Sequence, residues 1–204
     1  MWLRNRIELV SNLRVVVLAS GAGTLFEALA IRANEIGIEI VGMVTDAKVP
    51  ACDRAAALGI SVTVIPMSVD RIAWDQSLAT ELRRLKPELI VSAGFMKILG
   101  QEVLASYMGR IINTHPALLP LFPGAHAVRD ALQAGVSETG ATVHFVDAGI
   151  DTGQVIMQQQ VMVEPDDTEA LLHERIKVVE REILVQVVRE IANGKIMLGD
   201  TVHK

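Results

Sequence analysis

Leu13-Arg14-Val15-Val16-Val17-Leu18-Ala19-Ser20-Gly21-Ala22-Gly23-Thr24 is the stretch whose reading decides the fold. From Leu13 to Ala19 it is a nearly continuous apolar run rich in β-branched residues. A strand with one wet face would alternate polar and apolar residues, so this run predicts a strand covered on both faces of a parallel sheet. Ser20 to Thr24 follows at once as a tight glycine turn, and Leu25, Leu29, Ala30 and Ala33 then recur at helical spacing. Where a strand hands over to a helix in this way, open N–H groups and the helix dipole favour an anion, and glycines let the backbone approach it. Two other readings compete: a plain tight turn, and a dinucleotide fingerprint. The fingerprint wants a third glycine where Phe26 stands, although Asp46 could serve as its ribose-binding acid.

The same rhythm continues outward. Ile38 to Val44 reads as a second strand, Asp53 to Leu58 as a short helix ended by Gly59, and Ser61 to Ile65 as a third strand stopped by Pro66. Ile72 to Leu85 is an amphipathic helix that Pro87 prevents from continuing. Leu89 to Ser92 and Arg110 to Asn113 read as further strands. Alternating strands and helices predict an α/β domain: a Rossmann-like, open twisted sheet, mostly parallel, with helices on both faces. After Gly140 the pattern changes. Ala141 to Val146 and Gln154 to Val163 look like strands with no helix between them, so the C-terminal part of the sheet is expected to be mixed. Asp166 opens the last helix, with Glu169 completing a capping box. Leu172, Ile176, Val179, Ile183, Val187 and Ile191 form its apolar stripe, and Asn193-Gly194 ends it. No repeat or linker interrupts residues 13–204, which are expected to form a single domain after a short irregular leader, 1–12.

Composition narrows the class. The chain has 204 residues, 50% of them hydrophobic and 21% charged, with a net charge of -5 and one cysteine, Cys52. That is too apolar and too weakly charged for a disordered chain, and one cysteine cannot build a disulfide scaffold. Cys52 is expected to be a small buried or half-buried hydrophobe. No apolar run reaches the ~18 residues of a membrane span. A pI near 5.5 carries no basic stripe for nucleic acid. The expectation is a cytoplasmic protein. Apolar residues from Met67 to Trp74, or on the helix after them, are open to two readings, a homodimer face or core packing.

Three segments carry chemistry. Asn113-Thr114-His115-Pro116-Ala117-Leu118-Leu119-Pro120 places Asn113 and His115 two apart at a strand end, pointing the same way. An amide donor beside an imidazole suits an oxyanion and a proton; a structural histidine with a turn-forming asparagine is the plainer reading. Asp147-Ala148-Gly149-Ile150-Asp151-Thr152-Gly153 is a glycine-rich acidic loop without the ligand density of a calcium site. A carboxylate from it would raise the pKa of His115 and keep it cationic. Lys177 and Glu180 lie three apart on the last helix and read alone as a surface ion pair. The histidines show no zinc-ligand spacing, and His126, His144, His173 and His203 read as structural or solvated.

Together with Phe122-Pro123-Gly124 and Ser92-Ala93-Gly94-Phe95-Met96-Lys97-Ile98-Leu99, these segments resemble the folate-dependent formyltransferase family from about Leu13 to Leu198. The likeness is to its branch acting on glycinamide ribonucleotide. The resemblance implies 10-formyltetrahydrofolate as co-substrate and no metal; on composition and hydropathy, neither nucleic acid nor membrane is expected as a partner. It implies Asn113, His115 and Asp151 as the catalytic trio. Gly23, Thr24 and Leu25 would hold the ribonucleotide phosphate, and Lys177, Val178, Val179 and Glu180 the rest, with Glu180 near the ribose hydroxyls. Arg71, Met96, Lys97, Ile98, Leu99, Asn113, Asp147, Ala148, Gly149, Ile150 and Asp151 would meet the folate.

Two departures stand out. Thr24-Leu25 replaces a frequent Ser-Asn, leaving Leu25 only its backbone N–H, and Lys97 replaces a frequent arginine and its planar fork. The implied reaction is direct formyl transfer through a tetrahedral intermediate, with no acyl-enzyme. Within the family, methionyl-tRNA formyltransferase carries a C-terminal tRNA domain and formyltetrahydrofolate deformylase an N-terminal regulatory one, neither of which is expected here. A formyltransferase with another amine acceptor and a nicotinamide-dependent oxidoreductase remain as alternatives.

Overall fold

A computed structural model describes residues 12–199; the expected leader falls almost wholly outside them. The order is β1 (Leu13–Ala19), α1 (Thr24–Ala30), α2 (Ala33–Ile36), β2 (Ile38–Thr45), α3 (Pro50–Ala57), β3 (Val62–Val64), α4 (Arg71–Leu85), β4 (Leu89–Ser92), α5 (Gln101–Tyr107), β5 (Ile111–His115), α6 (Ala127–Gln133), β6 (Glu138–Phe145), β7 (Val155–Met162) and α7 (Glu169–Ala192). One seven-stranded sheet runs β3-β2-β1-β4-β5-β6-β7. Pairing is parallel from β3 to β5 and antiparallel across β5–β6 and β6–β7. The mixed C-terminal part is thus where the change of rhythm places it.

The run in β1 is buried on both faces, as its composition demands. Val15, Val17 and Ala19 pack into a core with α1, α2, α3 and α7. Val16 and Leu18 pack into a second core under α4 and α5. The alternation follows from the two-residue period of a strand. Trp74, Leu78, Leu82 and Leu85 belong to that second core, while Val69 and Ile72 stand exposed. No helix among the described residues is long and apolar enough to cross a membrane.

Several boundaries differ from the sequence reading. α3 starts at Pro50, a residue whose fixed φ and missing N–H suit a first helical turn. Gly140 does not break the chain but lies inside β6, opposite Gln160. The expected Asp166–Glu169 capping box does not form. Thr168 caps α7 instead, its hydroxyl accepting from Leu171 N–H at 3.3 Å. The neighbouring Asp167 is committed to Arg175 and to the Glu164 N–H. β5 runs two residues past Asn113 because β6 pairs with it as far as His115↔Thr142.

Candidate active site

Strand order reverses between β1 and β4, the switch point where open α/β sheets bind ligands at their carboxyl ends. There a cavity of about 540 Å³ gathers Ser20–Leu25 after β1, Ser92–Leu99 after β4, Asn113–Pro116 at the end of β5, Val146–Asp151 after β6, and His173, Lys177 and Glu180 from α7.

The glycine turn is built as its sequence requires. Gly23 precedes α1 with φ +77, a conformation that costs a residue with a Cβ. A Cβ there would also stand 2.6 Å from Ala51 Cβ, so only glycine lets the turn lie against α3. The turn is braced from that side: the Arg54 guanidinium donates to Ala22 O at 2.9 Å and pairs with Glu27 of α1.

Asn113 and His115 face the same side of β5, and a dense polar cluster forms around them. His115 Nε2 lies 2.8 Å from the Phe122 carbonyl, and its Nδ1 lies 3.3 Å from Asp151 Oδ2. Asp151 Oδ2 also accepts from Gly124 N–H at 2.8 Å. His144 Nδ1 lies 2.8 Å from the Phe145 carbonyl, an acceptor only, so Nδ1 carries a proton. In the neutral ring Nε2 then accepts from Asn113 Nδ2, 3.2 Å away. That bond orients the Asn113 amide and leaves its second N–H free to donate. His144 Nε2 is also 3.6 Å from Asp151 Oδ1. Asp151 reaches this position with φ +53. Its loop is held by Asp147, whose Oδ1 accepts from Gly149 N–H at 3.0 Å and from the Thr152 hydroxyl at 2.7 Å. A Cβ on Gly153 would meet Phe145 O at 1.8 Å, so glycine is what lets the loop close back on β6.

The charge state differs from the sequence expectation. Burial is the largest influence on His115 and holds its pKa below the ordinary 6.5, while the Phe122 carbonyl and Asp151 pull the other way. The net direction is thus opposite to the sequence expectation, in which the adjacent carboxylate raises the His115 pKa. Asp151 lies below the usual carboxylate value, drawn down by His144 first, then by the Gly124 N–H and His115, against its own burial.

The Phe95–Gly100 segment is fastened at four points. Met96 N–H donates to Ser20 Oγ at 3.0 Å, and Lys97 Nζ pairs with Asp46 Oδ2 at 3.1 Å. Arg71 donates to Ile98 O at 2.6 Å and stacks over Trp74. Asp75, buried on α4, accepts from Gly100 N–H and Glu102 N–H, each at 2.8 Å, and so caps α5 from another helix.

Most of the expected site residues meet here: Gly23, Thr24, Leu25, Met96 to Leu99, Asn113, His115, Asp147 to Asp151, Lys177 and Glu180 all line the cavity. Three do not. Arg71 lies outside the lining, its guanidinium engaged by Ile98 and Trp74. Val178 opens onto a separate surface groove, and Val179 packs against the core, because a helix can turn only one face to the cavity. The surface ion pair between Lys177 and Glu180 is absent: Lys177 pairs with Glu174 at 2.7 Å, and Glu180 is 5% exposed. Asp46 is bound to Lys97, which removes the acid that the dinucleotide reading needs. Sequence reasoning missed His144, which strand register alone sets opposite Asn113, His173 and Thr114, which also line the cavity, and Asp75, which carries no local signal. Among the described residues no cluster of three or more His, Cys, Asp or Glu is placed to hold a metal. Cys52 is half-buried, its Sγ 3.9 Å from the Thr45 hydroxyl.

Comparison with known proteins defines the class. The formyl transferase family profile matches residues 13–188, and the chain belongs to that family. Within the family it is 46% identical over 192 residues to the phosphoribosylglycinamide formyltransferase of Mycobacterium tuberculosis, covering 92% of this chain and 89% of that one. The glycinamide ribonucleotide transformylase 1 of Symbiobacterium toebii superposes with a TM-score of 0.88 at 35% identity, covering 93% and 92% of the two chains. A formyltetrahydrofolate deformylase from Pseudomonas syringae shares the fold at 24% identity, with a TM-score of 0.87 over 93% of this chain and 64% of that one. The chain is a formyltransferase, and the oxidoreductase alternative is not favoured.

Proposed function

We propose that the protein transfers the formyl group of 10-formyltetrahydrofolate to the amine of 5′-phosphoribosylglycinamide by direct attack. The observation that carries this reading is the meeting of Asn113, His115 and Asp151 at the junction of a cavity with two differently furnished sides. One side offers the Gly21–Leu25 turn, Lys177 and Glu180, a set suited to a phosphate and to ribose hydroxyls. The other offers Met96, Ile98 and Ile150, apolar and exposed at the cavity, with backbone of two loops for a flat heterocycle.

The amine nitrogen bonds to the formyl carbon, and the carbonyl becomes an oxyanion. The free Asn113 N–H donates to that oxygen, a contact worth most where charge develops. The neutral His115 takes the proton released by the amine, and Asp151 stabilises the imidazolium so formed. The bond from the formyl carbon to the folate nitrogen then breaks, and the proton passes to that leaving nitrogen. A base whose pKa burial holds below the ordinary 6.5 suits this better than a permanent cation, since it can both accept and return the proton. Lys97, committed to Asp46, contributes through backbone and apolar stem. We infer a cytoplasmic setting, in keeping with the composition.

The test follows loss of formyl-folate absorbance in the presence of the ribonucleotide. Consumption that requires 5′-phosphoribosylglycinamide is expected. Equal consumption with water or with another amine as sole acceptor would overturn the reading.

A further inference from the structure

Thr114 stands between Asn113 and His115 on β5, so its side chain points to the opposite face, the one covered by α7. Its hydroxyl is sealed from solvent and makes no well-formed hydrogen bond among the described residues, yet it lies close enough to the Glu180 carboxyl to favour its charged form. Facing it is Glu180, also buried, on the helix that closes over this end of the sheet. The Glu180 carboxyl has no salt-bridge partner among the described residues, since Lys177 is bound to Glu174 at 2.7 Å. Both Thr114 and Glu180 line the main cavity. Buried polar groups are ordinarily satisfied, and a buried hydroxyl left open beside a carboxyl that lines a cavity marks a place where a network is completed.

We propose that Thr114 is a positioning residue for the amine acceptor: its hydroxyl donates to one oxygen of the Glu180 carboxylate, so that the remaining lone pairs accept from the two vicinal hydroxyls of the ribose. This rests on the reading that α7 holds a ribonucleotide, and it names how a carboxyl so deeply buried is made fit to bind one. A carboxyl has lone pairs for one threonine and two ribose donors only when ionised. Burial raises Glu180 to about 7, while the Thr114 hydroxyl, Lys177 and Arg181 oppose that rise. Lys177 and Arg181 are the charges acting on it; His173 of α7, His115 of β5, His144 of β6 and Asp151 share its cavity. Acceptor binding therefore weakens as pH falls through the Glu180 titration, and loss of the Thr114 hydroxyl moves that titration upward.

The test compares Thr114→Val, nearly isosteric, with Thr114→Ser, which keeps the hydroxyl, in the full chain at saturating 10-formyltetrahydrofolate from about pH 6 to 9. Thr114→Val is expected to raise KM for 5′-phosphoribosylglycinamide about 10-fold, the usual worth of a hydrogen bond to a charged group, with kcat little changed. The acid limb of its kcat/KM profile should move to higher pH, and Thr114→Ser should restore both. In a Glu180→Gln background Thr114→Val should add no further loss. Should Thr114→Val not fold, Thr114→Ala carries the same expectations. A valine variant with wild-type KM and pH profile overturns the inference, as does a serine variant as impaired as the valine one. Wild-type protein that formylates no ribonucleotide overturns the underlying reading, and this inference with it.

Discussion

The two faces of β5 bury polar groups in opposite ways. On one face His115 is 3% exposed and both ring nitrogens have partners, as do Asp151 and His144 around it. On the other face Thr114 is 7% exposed, and its hydroxyl has no partner among the described residues. The first arrangement is held together within the protein, so under the proposed mechanism little has to reorganise as charge develops on the carbonyl oxygen. The second is open, and in our inference the Glu180 carboxylate and a bound acceptor complete it. One strand thus carries a closed polar cluster on one face and an open polar group on the other, separated only by the alternation of its side chains.

The sharpest way to break this contrast is to remove the half proposed to be catalytic. His115→Ala should lower kcat by roughly 10²- to 10⁴-fold, the worth of a general acid–base group. Purified, folded His115→Ala with wild-type turnover would take His115 out of the mechanism. Asp151→Asn should come next, with a loss on the order of 10²-fold. Removing the carboxylate charge leaves burial less opposed, so the His115 pKa should fall further in an NMR titration. An unmoved titration would reject the pairing.

Glu180→Gln should separate binding from stability. The folded protein holds the Glu180 proton up to about pH 7, whereas an ordinary glutamate releases it near 4.5. This group therefore favours the folded state fully below pH 4.5, and that advantage is lost as pH rises through 7. Glutamine carries no such cost, so the variant should gain about 1–3 kcal/mol over wild type at alkaline pH relative to acid, read from urea denaturation. Its KM for the ribonucleotide should rise at the same time, a trade of function for stability. Equal stability differences at both pH values would show that Glu180 is not buried as described. The smallest effect is expected at Val178→Thr, which sits in the separate groove: KM unchanged and stability within about 0.5 kcal/mol. A raised KM there would return Val178 to the substrate site.

Much of this was legible along the chain. The β1 run, the Gly21–Thr24 turn, Pro66 and Pro87 as stops and the stripe of α7 are local signals, because each depends on neighbours within a turn or two. The trio of Asn113, His115 and Asp151 could be named from motif likeness, and the structure brings the three together in one cavity. The sequence also determined that one strand face would carry Asn113 and His115 together and Thr114 apart, since side-chain alternation is a property of any strand. Tertiary structure alone decided the rest. His144 meets Asn113 only through the antiparallel register of β5 and β6. Asp75 caps a helix from a different helix, and Arg71 and Val178 lie outside the lining of the cavity at which motif likeness had placed them. The directions in which the pKa values of His115 and Glu180 move were likewise undecided by the chain, because burial is set by what packs around a group from distant segments, and it outweighs the nearest charge in each case.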